Sequence, residues 1–356
     1  MQVLYVTFQL VLGVVLLTVG ANVFVDGASG LARRLSVPPM VIGLTVVALG
    51  TSAPEIGVNV VAAFSGQPGL AVGNVVGSNI LNIFIVLGIS AMVAPLVVHA
   101  SIIRLDVAVM VGSAAVLWIF AADGRVSSLE AALFVLALAV YSTTQVMLAR
   151  RTRIARDPDD DLPPERPLYL QLGAILLGSG MLVFGSDALV AGATTVALGL
   201  GIPDRIIGLT VVAIGTSLPE LAASLTATLK GERDLAVGNV LGSNIYNVLA
   251  VVGLTGLIAR GGIEVSAEAL AVDFPVMLGA SLACVPIFFV GNHIARWEGT
   301  SFVFYYLLYL LYLVLSTMDA SAAPLLARWS PVIVGAVILA STAQWARIAI
   351  RSPSPG

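Results

Sequence analysis

Long apolar stretches separated by short polar segments make up most of this chain of 356 residues. A helix that crosses a bilayer needs about 20 mostly apolar residues. The first stretch is too long for the core of a secretion signal, and no Lys or Arg precedes Arg33, so we expect it to be retained as a helix. The pattern predicts eleven spanning helices, at about residues 3–25, 37–63, 70–97, 105–121, 128–148, 168–195, 203–229, 235–258, 271–290, 301–317 and 330–349.

Composition also indicates a membrane-embedded chain. Hydrophobic residues make up 58% of it and charged residues 10%, whereas a soluble domain carries about 25% charged residues. The single cysteine, Cys284, excludes an internal disulfide. No basic tract is long enough to indicate nucleic-acid binding. We therefore expect the lipid bilayer as the surroundings, with no nucleic acid, no cofactor and no obligate protein partner.

The polar segments carry unequal positive charge. If the N-terminus lies outside, 13 of the 17 Lys and Arg residues fall in inside segments, and the outside segments hold Arg125, Arg205, Arg260 and Arg328. Cytoplasmic loops of membrane proteins carry the excess of Lys and Arg. The charge distribution predicts a multi-pass protein of the cell inner (plasma) membrane, with its N-terminus outside and its C-terminus in the cytoplasm.

The strongest pattern is an internal repeat. Residues 43–55 read GLTVVALGTSAPE and residues 208–220 read GLTVVAIGTSLPE, with 11 of 13 positions identical. Residues 71–82 read AVGNVVGSNILN and residues 236–247 read AVGNVLGSNIYN, with 10 of 12 identical. The step from residue 43 to residue 208 equals the step from residue 71 to residue 236, and we call this constant step the repeat offset.

The two copies are predicted to be inverted relative to each other. They begin five predicted helices apart, and an odd number of spans turns the second copy upside down. Inverted repeats are common in secondary transporters, whose substrate site lies at the repeat interface near the midplane. The repeat therefore predicts a transporter with its site between the two copies.

The repeat and one long polar segment divide the chain into parts. The predicted parts are a first repeat at 1–149, a cytoplasmic linker at 150–167, a second, inverted repeat at 168–317, and an extra C-terminal helix with a tail at 318–356. The predicted fold is an all-α polytopic membrane protein with two inverted-topology five-helix repeats, hence a ten-helix core, plus the extra helix. Asp106 and Asp273 extend the match between the copies, and we expect both at helix starts, where they complement the helix dipole.

Two glutamates follow a helix-breaking proline in the middle of predicted spans. Pro54 and Pro219 each remove a backbone donor, which frees carbonyl groups in the preceding turn. Glu55 and Glu220 come directly after them. A charged residue at mid-membrane costs roughly 2.5–3.5 kcal/mol on insertion scales, and neighbouring predicted helices offer no Lys, Arg or His at that depth. Intramembrane carboxylates are usually functional, and these two need a positively charged partner.

A bound cation is the partner that the neighbouring residue types favour. Carboxylates, freed carbonyls and hydroxyls form an all-oxygen set, which suits Ca²⁺ with its six to eight flexible ligands better than Mg²⁺. The lack of nearby His and Cys argues against zinc or copper. The hydroxyl candidates of the first motifs are Thr51, Ser52, Thr216 and Ser217. Neutral side chains of the second motifs suit Na⁺, and these are Ser78, Asn82, Ser243 and Asn247.

Other readings of the same residues stay open at this point. Midplane glutamates can also carry protons, so proton/calcium antiport and potassium-dependent sodium/calcium exchange remain alternatives. A hydrolase with Ser52 or Ser217 as nucleophile needs a base within reach, and neither histidine is near. A passive channel is a further alternative, although inverted repeats with broken helices favour alternating access. The remaining motif asparagines are interpreted as interhelical hydrogen-bonding residues, and they are Asn74, Asn79, Asn239 and Asn244.

The doubled motifs resemble those of a known family. GTSAPE with GNVVGSNILN, and GTSLPE with GNVLGSNIYN, are similar to the paired alpha-repeats of the calcium/cation antiporter superfamily, in particular its prokaryotic sodium/calcium exchangers. The resemblance is clear over residues 38–90 and 203–255, and by topology it covers about residues 1–317. It implies ten helices in two inverted repeats, and secondary active exchange of Ca²⁺ for Na⁺. It also implies alternating access, in which the first helix of each repeat slides past a rigid core.

The resemblance implies a role for each matching residue. Glu55 and Glu220 would be the calcium ligands, helped by the backbone oxygens of Thr51 and Thr216. The sodium ligands would be the side chains of Ser52, Ser78, Ser217 and Ser243 with the carbonyl groups of Ala48 and Ala213. Asn82 and Asn247 would flank the centre.

Three features of the chain bear on the resemblance. Some relatives carry an aspartate where this chain has Asn247, which removes a titratable group and leaves the proton or sodium details of those relatives open here. The predicted helix at 330–349 lies outside the repeat pattern. The central linker lacks the large regulatory insert of animal exchangers, so we expect no cytosolic calcium regulation of that kind.

Overall fold

The computed structural model describes residues 2–97, 100–151, 167–202, 204–259, 261–288 and 293–318. Most of the predicted linker at 150–167 lies outside the described residues. The predicted helix at 330–349 lies outside them as well. The described helices belong to the two predicted repeats, whose boundaries stay predictions.

The described residues of the first half of the chain fold into six helices. They are α1 (Gln2–Leu35), α2 (Pro39–Thr51), α3 (Ala53–Phe64), α4 (Gly69–Val93), α5 (Ala100–Phe120) and α6 (Ser128–Arg151). The second half repeats this order with α7 (Leu168–Gly199), α8 (residues 204–216), α9 (Leu218–Leu229), α10 (Arg233–Ile258), α11 (Ala269–Pro286) and α12 (Arg296–Thr317). The predicted all-helical membrane fold is confirmed.

Among the described residues, eight helices are long and apolar enough to cross a membrane, and the pair α2 and α3 adds a broken span with a bend of 43°. Helices α8 and α9 occupy the equivalent place in the second half. Among the described helices, the predicted boundary that differs most from the structure is the end of α1. Helix α1 does not end near residue 25 but continues to Leu35, with Arg33 and Arg34 in its last turn.

In the described part of the chain, four short strands that were not expected from the sequence connect the two halves. Strand β1 (Leu96–Val97) pairs antiparallel with β4 (His293–Ile294), so that Leu96 faces Ile294. Strand β2 (Arg125–Val126) pairs with β3 (Ile263–Glu264) in the same way. Each strand has two residues and lies between helices, so the strands tie loops together without changing the helical architecture.

The internal repeat extends to the local geometry of the backbone. Helix α2 contains a π-helical stretch at Gly43–Val47, and α8 contains one at Gly208–Val212. Helices α4 and α10 contain further π-helical stretches at Asn82–Leu87 and Asn247–Val252. Both pairs keep the repeat offset. Because π-helical turns are rare and frequently mark functional sites, their doubling indicates a shared role for both motifs.

The structure corrects the expected placement of Asp106. It lies inside α5 rather than at its start, where it is buried and accepts hydrogen bonds from the Tyr141 hydroxyl at 2.9 Å and from Gln145. In the second half, Asp273 accepts a hydrogen bond from the Tyr309 hydroxyl at 2.8 Å. The same contact thus joins the last two helices of each half. These aspartates link helices instead of capping them.

Helices α4 and α10 form the centre of the fold, and α1 and α7 lie outside it. In their most apolar segments, 78% of α4 and 83% of α10 is buried, against 22% of α1 and 28% of α7. Small residues let α1 and α7 pack closely on each other. Their glycines recur with heptad spacing and also keep the repeat offset, at Gly13, Gly20 and Gly27 and at Gly178, Gly185 and Gly192. A Cβ at any of these six positions would lie 3.0 Å or less from an atom of the other helix.

Candidate functional site

Each of the two glutamates lies in the first turn of a helix that follows a break in the backbone. Ser52 (φ −83°, ψ 5°) and Ser217 (φ −96°, ψ 7°) interrupt the helices, and a proline occupies the first turn of α3 and of α9. Proline is tolerated there because its missing N–H has no intrahelical acceptor. The predicted break is confirmed, and it places Glu55 and Glu220 at helix N-termini, which stabilise negative charge.

The ends of α2 and α8 provide the carbonyl groups next to these breaks. The oxygen of Ala48 accepts a hydrogen bond from the N–H of Ser52 at 2.9 Å and also lies 3.4 Å from the hydroxyl of Thr51. Ala213 begins the last helical turn before the second break, Ala213–Thr216. In this copy the N–H of Ser217 bonds to the oxygen of Ile214 instead, at 3.1 Å.

Contacts between the copies bring the motifs of the repeat together. The hydroxyl of Ser52 donates to Glu220 Oε1 at 3.2 Å. The hydroxyl of Thr51 donates to Asn239 Oδ1 at 3.0 Å and lies 3.4 Å from the Ser243 hydroxyl. The hydroxyl of Thr216 donates to Asn74 Oδ1 at 3.4 Å. The first motif of each copy therefore contacts the second motif of the other copy.

The side chains at this junction are shielded from solvent. Both glutamates are 0% exposed, and their carboxylates lie close enough to interact electrostatically. Thr216 is partly exposed, and the side chain of Ala213 is not among the described ones. The other predicted site residues are all buried, namely Ala48, Thr51, Ser52, Ser78, Asn82, Ser217, Ser243 and Asn247.

Several oxygens at the junction have no hydrogen-bond partner among the described residues. They are Glu55 Oε1 and Oε2, Glu220 Oε2, Ser217 Oγ, Asn82 Oδ1 and Asn247 Oδ1. Buried polar atoms are rarely left without a partner, and oxygens alone are the ligands that Ca²⁺ and other hard cations take. In the described part of the chain, no three or more His, Cys, Asp or Glu side chains are grouped so that they could hold a metal ion. The junction therefore fits a hard cation rather than a transition metal.

Two of these oxygens, those of Asn82 and Asn247, belong to side chains that form hydrogen-bonded asparagine pairs. Asn82 Nδ2 donates to Asn244 Oδ1 at 3.1 Å, and Asn247 Nδ2 donates to Asn79 Oδ1 at 3.0 Å. From the sequence alone, Asn79 and Asn244 are expected only to form interhelical hydrogen bonds. Their direct contact with candidate ligands depends on how the two copies meet, although the repeat offset already indicated that any such contact would occur twice.

The two sides of the junction differ in packing. On the closed side, formed by Gly43, Gly238 and Gly242, a Cβ on any of these glycines would lie 2.6–2.7 Å from an atom of the neighbouring helix. On the open side, formed by their equivalents Gly208, Gly73 and Gly77, a Cβ would have no described atom within 4 Å. The pattern extends to the site itself, because Thr51 and Asn239 are fully buried whereas their counterparts Thr216 and Asn74 are partly exposed.

Two ion pairs connect α1 to the segment between α9 and α10. Lys230 Nζ lies 2.7 Å from Asp26 Oδ1, and Arg33 Nη1 lies 3.6 Å from Glu232 Oε1. By the repeat offset, the equivalent positions are Ala191 with Ser65 and Leu198 with Gln67, which cannot form ion pairs. These pairs are not predictable from the apolar pattern, because Asp26 and Arg33 fall between two predicted helices.

Comparison with known proteins supports the resemblance. The chain is 43% identical over 288 residues to the antiporter CaxA of Alkalimonas amylolytica, covering 79% of this chain and 88% of that protein. It is 34% identical to the sodium/calcium exchanger MaX1 of Methanosarcina acetivorans, covering 85% of this chain and 97% of that protein. Among solved structures, the sodium/calcium exchanger of Methanococcus jannaschii matches with a TM-score of 0.73 at 29% identity, covering 87% of this chain and 98% of that one.

The model of one protein family matches both halves of the chain. The family is described as "Sodium/calcium exchanger protein", and the matched residues are 5–147 and 170–315. These two ranges include all four repeat motifs and every candidate site residue. The chain therefore belongs to the sodium/calcium exchanger protein family.

Proposed function

We propose that this protein exchanges Ca²⁺ for Na⁺ across the membrane by alternating access, at the junction of its two repeats. The observation that carries the proposal is the buried pair Glu55 and Glu220, set at two helix breaks among oxygens that have no protein partner within the described residues. Carboxylates inside a membrane protein are costly and mark ion pathways. Membership of the exchanger family supports the same function and does not favour proton/calcium antiport, potassium-dependent exchange or a channel.

The roles of individual residues follow from their chemistry and from the family resemblance. Glu55 and Glu220 bind Ca²⁺, with the backbone oxygens of Thr51 and Thr216 as further ligands. Asn82 and Asn247 flank the centre with their amide oxygens. The sodium ligands are the hydroxyls of Ser52, Ser78, Ser217 and Ser243 and the carbonyl oxygens of Ala48 and Ala213.

The two carboxylates also explain why the ions compete. One Ca²⁺ neutralises a site that holds two negative charges, and Na⁺ ions at the adjoining hydroxyl and carbonyl oxygens neutralise the same charges and exclude it. Exchange of one Ca²⁺ for three or more Na⁺ moves net charge across the membrane. We therefore expect transport to respond to the membrane potential, at about 2.3 kcal/mol per net elementary charge moved per 100 mV.

Positive charge supports an orientation in the cell inner membrane with the N-terminus outside. In this orientation the closed side of the junction and both ion pairs face the cytoplasm, and the open side faces outward. The described conformation is then the outward-facing one of the alternating-access cycle. Ca²⁺ and Na⁺ are the partners of the chain, within a lipid bilayer, and the proposal requires no other protein.

Uptake of calcium-45 into proteoliposomes that contain the purified protein tests the proposal. Vesicles loaded with Na⁺ are compared with vesicles loaded with K⁺, with choline, or with an acidic interior. We expect uptake only when an outward Na⁺ gradient is present. Uptake driven by an acidic interior without Na⁺ would contradict sodium coupling and assign the site to proton/calcium antiport, and a strict need for K⁺ beside Na⁺ would assign it to potassium-dependent exchange.

A further inference from the structure

Four asparagine side chains form two hydrogen-bonded pairs across the junction of the repeats. Asn247 Nδ2 donates to Asn79 Oδ1 at 3.0 Å, and Asn82 Nδ2 donates to Asn244 Oδ1 at 3.1 Å. The pairs are related by the repeat offset, so the same contact is built twice. Each of the four side chains is at most 2% exposed. Water therefore has little access to compete for these amide groups.

A backbone carbonyl fixes the direction of the first pair. Asn79 Nδ2 donates to the backbone oxygen of Asn244 at 3.2 Å, and a carbonyl oxygen can only accept. The amide nitrogen of Asn79 must face that carbonyl, so its amide oxygen faces Asn247. Because this oxygen also only accepts, Asn247 must turn its nitrogen toward Asn79 and its oxygen away.

A thioether fixes the direction of the second pair. Asn244 Nδ2 lies 3.7 Å from Met110 Sδ, and a thioether is a weak acceptor that cannot donate. Met277 has the same relation to Asn79, at 3.9 Å. Asn244 therefore presents its oxygen to Asn82, and Asn82 turns its own oxygen away.

In both pairs, the oxygen that is turned away is buried and has no hydrogen-bond partner among the described residues. We propose that Asn79 and Asn244 are positioning residues, which hold the amides of Asn247 and Asn82 with their oxygens toward the transported ions. An amide oxygen attracts a cation, whereas the amide nitrogen in the same place would repel it. The inference rests on the proposed function and deepens it, because it assigns the residues that give the ion site its polarity.

A packing role and a positioning role for Asn79 make different predictions about Ca²⁺ binding. They differ in whether the effect of removing Asn79 depends on the residue at position 247. A carboxylate has two oxygens where an amide has one oxygen and one nitrogen. An Asn247→Asp variant therefore presents an oxygen to the ion whichever way its side chain is turned. If Asn79 acts by orienting Asn247, its removal should matter much less in the Asn247→Asp background. If Asn79 only fills space, its removal should cost the same in both backgrounds, since independent effects add.

Calcium binding to the purified full-length protein, measured by calorimetry in sodium-free choline buffer, separates these roles. We expect Asn79→Ala to weaken Ca²⁺ binding about tenfold or more, the usual effect of losing a residue that orients a metal ligand. In the Asn247→Asp background, we expect the same substitution to weaken binding less than about threefold. The control is Ser281→Ala, which removes a buried hydroxyl bonded to the Met277 backbone at 3.0 Å and should leave the affinity unchanged.

Equal losses in both backgrounds would overturn the proposal, and so would an unchanged affinity of Asn79→Ala. If Asn79→Ala does not yield folded protein, Asn244→Ala with and without Asn82→Asp asks the same question in the other copy. Because binding is measured without Na⁺, this test is independent of the coupling ion. A wild-type protein that binds Ca²⁺ but does not exchange it for Na⁺ would contradict the proposed function and leave this inference intact.

Discussion

At the scale of single residues, the two copies of the GTSxPE motif differ in their hydrogen bonds. Ser52 donates its hydroxyl to Glu220 at 3.2 Å, whereas the hydroxyl of Ser217 is buried without a hydrogen-bond partner among the described residues. The glutamates differ likewise, because both oxygens of Glu55 lack a partner and only one oxygen of Glu220 does. A buried hydroxyl without a hydrogen-bond partner costs free energy unless a ligand binds it. In the proposed function, the ion that the Ser217 hydroxyl binds is Na⁺.

We expect Ser217→Ala to weaken the apparent affinity for Na⁺ about fivefold or more, as the loss of an interaction of about 1 kcal/mol predicts. The apparent affinity for Ca²⁺ should change less, because the carboxylates dominate that interaction. Ser90→Ala is the matched control, since Ser90 is also buried without a described partner but lies outside the motifs. Sodium-dependent calcium-45 uptake at varied Na⁺ measures both effects, and an equal loss for the two ions would contradict the assignment.

At the scale of helices, the contact between α1 and α7 depends on glycines that face backbone or Cβ atoms of the other helix. A Cβ on Gly178 would lie 2.6 Å from the backbone nitrogen of Phe24, and a Cβ on Gly20 would lie 2.7 Å from Met181 Cβ. Because neither a backbone atom nor a Cβ can rotate away as the outer atoms of a side chain do, the two helices would have to separate. Helices α1 and α7 therefore pack closely on each other, which suits helices that move together past the rest of the molecule.

We expect Gly178→Val to destabilise the protein by about 1–3 kcal/mol, the usual cost of overpacking. Gly180→Val is the control on the same helix, because no described atom lies within 4 Å of a Cβ placed there. Thermal unfolding of the two purified variants in detergent should show a lower midpoint for Gly178→Val only. Equal midpoints would show that α1 and α7 are not held in this close contact.

The helices could largely be predicted from the sequence, and the errors have physical causes. Apolar length and the two prolines predict the spans and the breaks near Ser52 and Ser217. The end of α1 could not be predicted, since Asp26 and Arg33 indicate a loop when taken alone. They continue the helix and meet Lys230 and Glu232, which come from the other half of the chain.

At the scale of the whole molecule, the repeat is regular in sequence but not in packing. The closed side has glycines in close contact and two ion pairs, and the open side has neither at the equivalent positions. Sliding of α1 and α7 past the rest of the molecule would have to break the Lys230–Asp26 and Arg33–Glu232 contacts. The opposite conformation would close Gly208 onto Gly73 and open Gly43 from Gly238.

A cysteine at Gly73 should report which side is open. We expect Gly73→Cys, in a Cys284→Ala background, to react with a membrane-impermeant thiol reagent applied from outside. The adjacent Val72→Cys should not react, because Val72 is only 2% exposed. Labelling of intact cells measures both variants. Reaction of Gly73→Cys only from the cytoplasmic side would contradict the proposed orientation.

The ion site could be predicted only in part. The doubled motifs indicate which side chains meet, and the structure brings Ser52 to Glu220 and Thr51 to Asn239. Their roles as ligands stay predictions. The orientation of Asn82 and Asn247 could not be predicted, because it depends on a backbone carbonyl and a thioether that only the assembled helices place beside their partners Asn79 and Asn244.

The central claim is that Glu55 and Glu220 form one shared site for both ions. The most direct test is sodium-driven calcium-45 uptake by Glu55→Gln and Glu220→Gln, with Glu130→Gln as a control at a helix start outside the site. Each site variant loses a negative charge that the site needs for Ca²⁺. We expect both to lose exchange and the control to keep it. Wild-type uptake by either site variant would contradict the shared site.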